Sequence, residues 1–221
     1  MTTFVMVHGA WSGAWGWDLV ADMLRARGHR VHVPTLSGLG ERSHLAHLPI
    51  DLTTHINDVV NEMAFHELTD VVLVAHSYGG FVATGVAEQA LERLAAIVYL
   101  DAFVPQDGQS FEDFMGKVPD GPTVPVPEVG DDDYPTKAEA ERVRNLSTPQ
   151  PTGTFTQRLV VTGAYLKVPR KTYILATGWN GFASIAAPLR GDPAWTVQEL
   201  PCGHDVPQLL PNDLAALLEQ A

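Results

Sequence analysis

The chain has 221 residues, 45% hydrophobic and 18% charged, which are the proportions of one globular domain with a full core. Its 26 acidic residues outnumber 14 basic ones for a net charge of −12, a surface that repels nucleic-acid phosphates and anionic lipid and argues against both as partners. No apolar run reaches the about 20 residues that cross a bilayer. No basic segment precedes an apolar one at the N-terminus, and the single cysteine, Cys202, excludes an internal disulfide, so no signal peptide and a cytoplasmic setting are expected.

Along the chain, short apolar runs alternate with stretches of helical period. Phe4–Val7 is the first run, and Trp15–Arg27 follows as a helix with Leu19, Met23 and Leu24 on one face, stopped by Gly28. Val31–Val33 is the second run; a helix through Ile56, Val59, Val60 and Met63 then starts from a Thr53 or Thr54 cap. Val71–Ala75 leads into a helix over 79–94, and Ile97–Leu100, Thr172–Ala176 and Thr196–Leu200 complete the strands before a C-terminal helix, Pro211–Glu219. Most runs are apolar at nearly every position, as for strands covered on both faces; the last is weakest, because Gln198 and Glu199 interrupt it. The pattern predicts an α/β fold with a mostly parallel, doubly wound sheet of about six strands.

One region breaks the rhythm. Residues 105–169 hold many prolines, the acidic run Asp131-Asp132-Asp133 and a helical patch over Lys137–Asn145, but no clean strand. An insertion of that length is functional or partly mobile, and Phe111, Phe114, Met115, Tyr134 and Phe155, which need a surface to bury against, argue against a disordered loop. It reads as a small lid within a single domain spanning 1–221.

The segment Val71-Val72-Leu73-Val74-Ala75-His76-Ser77-Tyr78-Gly79-Gly80 is a buried strand, a tight turn with serine at its apex, and a helix start. This is the nucleophile elbow, small-x-Ser-x-Gly, with Ala75 in place of the first glycine. A serine hydroxyl needs a base to take its proton, and His204, just after the last strand, is the candidate. His76 sits inside the elbow as a structural residue. His29, His32, His44 and His47 read as surface residues, the His44/His47 spacing lacks the ligand set of a metal site, and His55 and His66 have no evident partner. For the developing oxyanion, the backbone N–H groups of Tyr78 and of Ala10, in the loop His8-Gly9-Ala10-Trp11, are the expected donors.

Val7-His8-Gly9-Ala10-Trp11-Ser12-Gly13-Ala14-Trp15, Leu36-Ser37-Gly38-Leu39-Gly40 and Ala75-His76-Ser77-Tyr78-Gly79-Gly80 resemble the plant methylesterase and hydroxynitrile lyase branch of the α/β-hydrolases and its bacterial esterase relatives. The resemblance covers both ends of the chain well and residues 105–169 poorly. It implies cleavage of small carboxylic esters or of cyanohydrins, with neither metal nor organic cofactor. The lyases carry a lysine directly after the histidine, where this chain has Asp205, so the resemblance favours an esterase. The family's aspartate usually follows the fifth strand, here Thr177-Gly178-Trp179-Asn180-Gly181, which holds no carboxylate. Asn180 stands nearest that place. Asp101, ending the run before, is the alternative taken here, with Asp205 set aside because a neighbour rarely folds back onto its own imidazole.

The reading is therefore a serine esterase with Ser77, His204 and Asp101 as triad, Ala10 and Tyr78 as oxyanion donors, and Trp11, Phe103, Phe111 and Trp179 around an apolar pocket, with Trp15 favoured as packing. Its partner is a small-molecule ester, and a homodimer is allowed without being fixed by the sequence. A carbon–carbon lyase on the same triad, and a ligand-binding protein that has lost turnover, are the competing readings.

Overall fold

The computed structural model describes all 221 residues. Six parallel strands form the main sheet: β1 (Thr3–Val7), β2 (Arg30–His32), β3 (Val71–His76), β4 (Leu94–Leu100), β7 (Arg170–Ala176) and β8 (Thr196–Leu200), in spatial order β2-β1-β3-β4-β7-β8. β5 (Thr123–Val124) and β6 (Gln150–Pro151) pair antiparallel outside it. The helices are α1 (Asp18–Ala26), α2 (Leu52–Phe65), α3 (Gly79–Ala90), α4 (Glu112–Met115), α5 (Lys137–Leu146), α6 (Gly153–Thr156), α7 (Ala183–Leu189), α8 (Val206–Leu209) and α9 (Pro211–Leu218).

The period-2 alternation of the strands divides the core into two layers. Val5, Val7, Leu73, Ala75, Ile97, Tyr99, Tyr173 and Leu175 face α2 and α3, whereas Phe4, Met6, Val72, Val74, Val98, Leu100, Ile174 and Ala176 face α1 and α9. β3 lies in the middle, with Val71 to Ala75 fully buried. β8 is an edge strand, which explains its polar interruptions: Glu199 is exposed and pairs with Arg190. The chain steps from β1 outward to β2, then returns to place β3 on the other side of β1. That reversal opens a crevice at the carboxyl ends of β1 and β3, where an open α/β sheet binds ligands.

Three local expectations differ from the structure. α1 buries Val20, Ala21 and Leu24, and the preceding turn buries Trp17, while Leu19 stays exposed. Both Leu19/Met23 and Val20/Leu24 are i,i+4 pairs, and Trp17 and Ala21 extend only the second into a continuous stripe. α2 is capped by Asp51, whose carboxylate accepts from the Thr54 amide at 2.9 Å and from its hydroxyl at 2.8 Å. α3 stops at Ala90 because a short 3₁₀ turn, Leu91–Arg93, lets Leu94 begin β4. In 105–169 the helix over 137–146 forms as expected, and the β5–β6 pair is the strand content the sequence did not signal. Phe111 and Phe155 stack at 3.9 Å and are buried, as the apolar content of that region required, whereas Phe114 and Met115 stay partly exposed.

Candidate active site

Ser77 closes β3 in the left-handed region, at φ 55°. A non-glycine residue there costs about 1–3 kcal/mol and persists only where its surroundings fix it. They do: its amide donates to Leu100 O at 3.3 Å, and its carbonyl accepts from Gly80 N at 3.0 Å and Phe103 N at 3.3 Å. The turn is sterically closed as well. A Cβ on Gly80 would lie 1.9 Å from Phe103 O, and one on Gly79 3.0 Å from the carbonyls of Val7 and His8. Strand and helix meet this closely only because two small residues follow the serine.

The turn aims Ser77 Oγ at His204, whose Nε2 lies 2.9 Å away, and His204 Nδ1 lies 2.7 Å from Asp101 Oδ2. With Nδ1–H donating to the carboxylate, Nε2 is left to accept the serine proton. Asp101 is fully buried at the end of β4, itself at φ 41°. Its Oδ1 accepts from Ala176 N at 3.1 Å and its Oδ2 also accepts from Trp179 Nε1 at 2.7 Å. Asn180 is exposed and makes no bond to His204, so Asp101 is the residue against Nδ1. The imidazole is held on its faces too: Phe182 stacks at 5.2 Å, Trp179 lies at 4.7 Å and His76 at 4.6 Å.

Above Ser77 runs the loop after β1. A Cβ on Gly9 would fall 3.2 Å from Ser77 Cβ, so a side chain there would crowd the nucleophile, and glycine lets the backbone pass this near. The amides of Ala10 and Tyr78 donate to no protein acceptor, which leaves both free for a ligand oxygen. A cavity of about 260 Å³ opens between this loop, the Ser77–His204 pair and residues of 126–147, with Trp11, Trp15 and Trp17 on one wall.

Residues 4–217 match the model of the Alpha/beta hydrolase family. The chain belongs to that family. It is 39% identical, over 99% of its own length and 98% of the relative's, to the carbendazim hydrolyzing esterase of Nocardioides sp. (strain SG-4G). It is 36% identical to methylesterase 1 of Arabidopsis thaliana over 48% of its length and 41% of the relative's. Among solved structures, an extracellular alpha/beta-hydrolase from a Paenibacillus species, described as sharing structural and functional homology with tobacco salicylic acid binding protein 2, superimposes with a TM-score of 0.84 at 25% identity, covering 100% of this chain and 99% of that one.

Not every residue expected in the hydrolase's pocket lies there. Trp11 lines the cavity, but Phe103 and Phe111 are buried in an aromatic cluster with Phe81 and Phe155 and do not reach it. Phe103 follows the elbow's partner strand and packs under α3, so its ring points into the core. Trp179 serves Asp101 and His204 rather than the cavity. Trp15, read as packing, lines it, as does Trp17. One residue went unnoticed in the sequence. Gln150 is fully buried; its Oε1 accepts from Trp11 N at 2.9 Å and its Nε2 donates to Thr154 Oγ1 at 2.7 Å, clamping the loop beside Ala10. Trp11 needs that clamp, since it sits at φ 58°. A lone glutamine 139 positions away along the chain carries no pattern that spacing could reveal.

Three other histidines build the scaffold. His8 Nδ1 donates to Gly9 O at 2.8 Å and its Nε2 accepts from Leu36 N at 3.1 Å; His55 Nε2 donates to Ser37 O at 2.8 Å and its Nδ1 accepts from the Tyr78 hydroxyl at 3.0 Å. Burial lowers both to a pKa of about 4, so they stay neutral. His76 donates Nε2–H to His204 O at 2.9 Å, and burial and the adjacent imidazole hold it well below the usual histidine range. His44 and His47 bond only backbone carbonyls. His32, Glu62 and His66 bring ligand atoms within 4.8 Å of one another; His32 Nδ1 lies 2.7 Å from Glu62 Oε1, and Arg30 Nε donates to His32 Nε2 at 3.0 Å. No helix is long and apolar enough to cross a membrane.

Proposed function

We propose that this carboxylic ester hydrolase works through a serine acyl-enzyme, with Ser77 as nucleophile, His204 as general base and Asp101 as the carboxylate that orients it. The reading rests on one observation, the unbroken path from Asp101 Oδ2 through His204 to Ser77 Oγ, with separations of 2.7 and 2.9 Å, ending in a cavity. As Ser77 Oγ attacks the acyl carbon, its proton passes to His204 Nε2 and the imidazolium is steadied by Asp101. The carbonyl oxygen, now an anion, takes hydrogen bonds from the Ala10 and Tyr78 amides, each worth about 3–4 kcal/mol by the measured cost of losing one such donor. His204 then gives the proton to the departing alkoxide. Water, deprotonated by the same nitrogen, attacks the acyl-enzyme and releases the acid and Ser77.

The cavity of about 260 Å³ and its aromatic lining suit a small to medium ester with a flat group, and the carbendazim hydrolyzing relative makes carbendazim a first substrate to try. Hydrolysis is favoured over cyanohydrin cleavage because Asp205 stands directly after His204, where the lyases carry the lysine that steadies released cyanide. Ser77→Ala is expected to abolish hydrolysis of p-nitrophenyl acetate while the circular dichroism spectrum is unchanged, and a fluorophosphonate probe should label the wild type at Ser77 alone. Retained turnover in Ser77→Ala, or an unlabelled serine, ends this reading; cyanide release from mandelonitrile exceeding ester turnover would instead establish the lyase.

A further inference from the structure

The cavity holds one carboxylate that the proposed triad does not use. Asp205 lines it beside Ser77 and His204. Its Oδ2 accepts the Tyr134 hydroxyl at 2.7 Å, while its Oδ1 accepts from no group of the protein and is not sealed away from the cavity. Tyr134 comes from 105–169, so the insertion fixes the carboxylate's rotamer. No Lys or Arg lines this space. Arg142 lies on the Trp15 ring at 5.5 Å from its centre and is engaged by Asp18 at 3.1 Å.

A carboxylate oxygen with open lone pairs on the half-buried wall of a cavity is a site for a hydrogen-bond donor, and a charged donor satisfies it best. Burial has already raised the Asp205 pKa, which a bound cation would reverse. Trp11 and Trp15 line the same cavity and give it aromatic surface that suits an aromatic ring. We propose that Asp205, held by Tyr134, is a specificity-determining subsite that selects aromatic esters carrying a protonated amine or an N–H donor over their neutral isosteres. The inference rests on the serine-esterase reading for its chemistry, but the subsite itself is a matter of binding.

The two are separable by experiment. Matched pairs differ only in the donor: the methyl esters of 3- and 4-(aminomethyl)benzoic acid against those of 3- and 4-ethylbenzoic acid. Dissociation constants are measured on Ser77→Ala, where no turnover intervenes, and kcat/KM on the wild type. At one ring position at least, the ammonium ester should bind about tenfold or more tightly than its isostere, the lower range for a hydrogen bond to a charged group. In Ser77→Ala/Asp205→Asn that ratio should fall to near one. Tyr134→Phe, which removes the hydroxyl that holds the carboxylate in place, should lower the ratio and covers the case in which Asp205→Asn does not fold. Equal affinities within every pair, a preference that survives Asp205→Asn, a ratio unchanged in Tyr134→Phe, or an equal loss on both members of a pair in Asp205→Asn would each overturn the subsite. Selective binding without wild-type turnover would overturn the serine mechanism and leave the subsite standing.

Discussion

Acidification should unfold this protein from the inside, through His8 and His55. In the folded state burial holds both at a pKa of about 4, against 6.5 for an exposed histidine. Between those values the unfolded chain binds protons that the folded chain refuses. The stabilisation from these groups is therefore complete above pH 6.5, falls as the pH drops, and is lost in full near pH 4. Integrating that difference gives about 2 kcal/mol per histidine at pH 5, hence about 4 kcal/mol for the pair, a large share of the 5–15 kcal/mol that stabilises an ordinary domain. His76, shifted the same way, adds to the loss. Asp205, whose carboxyl is raised by burial, opposes it by favouring the folded state at low pH. Urea unfolding followed by circular dichroism at pH 7, 6 and 5 measures the slope. His55→Gln supplies the control, because its amide nitrogen can still donate to Ser37 O but cannot titrate. It should be less stable than wild type at pH 7 and lose about 2 kcal/mol less on going to pH 5. If wild type and His55→Gln lose the same stability over that interval, the buried-histidine explanation is wrong.

Other expectations concern turnover. Asp101→Asn should lower kcat on p-nitrophenyl acetate by about 10³–10⁴, as the neutral amide can no longer hold the imidazolium or dictate its tautomer, whereas Asn180→Ala should stay within about threefold, a change too small to need a hydrogen bond; the reverse order would move the orienting role to Asn180. Trp179→Phe keeps a ring on His204 but deletes the 2.7 Å bond to Asp101, and should lower kcat by about 10-fold, the lower range for a hydrogen bond to a charged group. Unchanged kcat would make that indole mere packing. Gln150→Leu unclamps Trp11 and so the loop carrying the Ala10 amide; steady-state kinetics should show kcat falling by about 10² with KM little changed, the cost of a misplaced oxyanion donor. A loss confined to KM would assign Gln150 to substrate binding instead.

Much of this molecule was legible without coordinates. Strand and helix assignments came from apolar periodicity, and the elbow from small residues flanking Ser77, because both are local steric rules that neighbours in sequence satisfy or break on their own. The order of the sheet then carries those local pieces to fixed places, which is why a histidine after the last strand could be paired with a serine after the third. Which carboxylate meets His204 was a different kind of question. Asp101 and Asn180 both follow strands that border the histidine loop, and only the folded packing puts Asp101 Oδ2 at 2.7 Å while leaving Asn180 in solvent. The same holds for the cavity wall. Apolar character alone could not tell Phe103 and Phe111, which turn into the core, from Trp15, which lines the cavity. Gln150 on Trp11 and Tyr134 on Asp205 are contacts between segments 139 and 71 positions apart. Such pairings are set by how the insertion packs on the sheet, a property of the whole chain's lowest-energy arrangement that no short stretch of residues encodes.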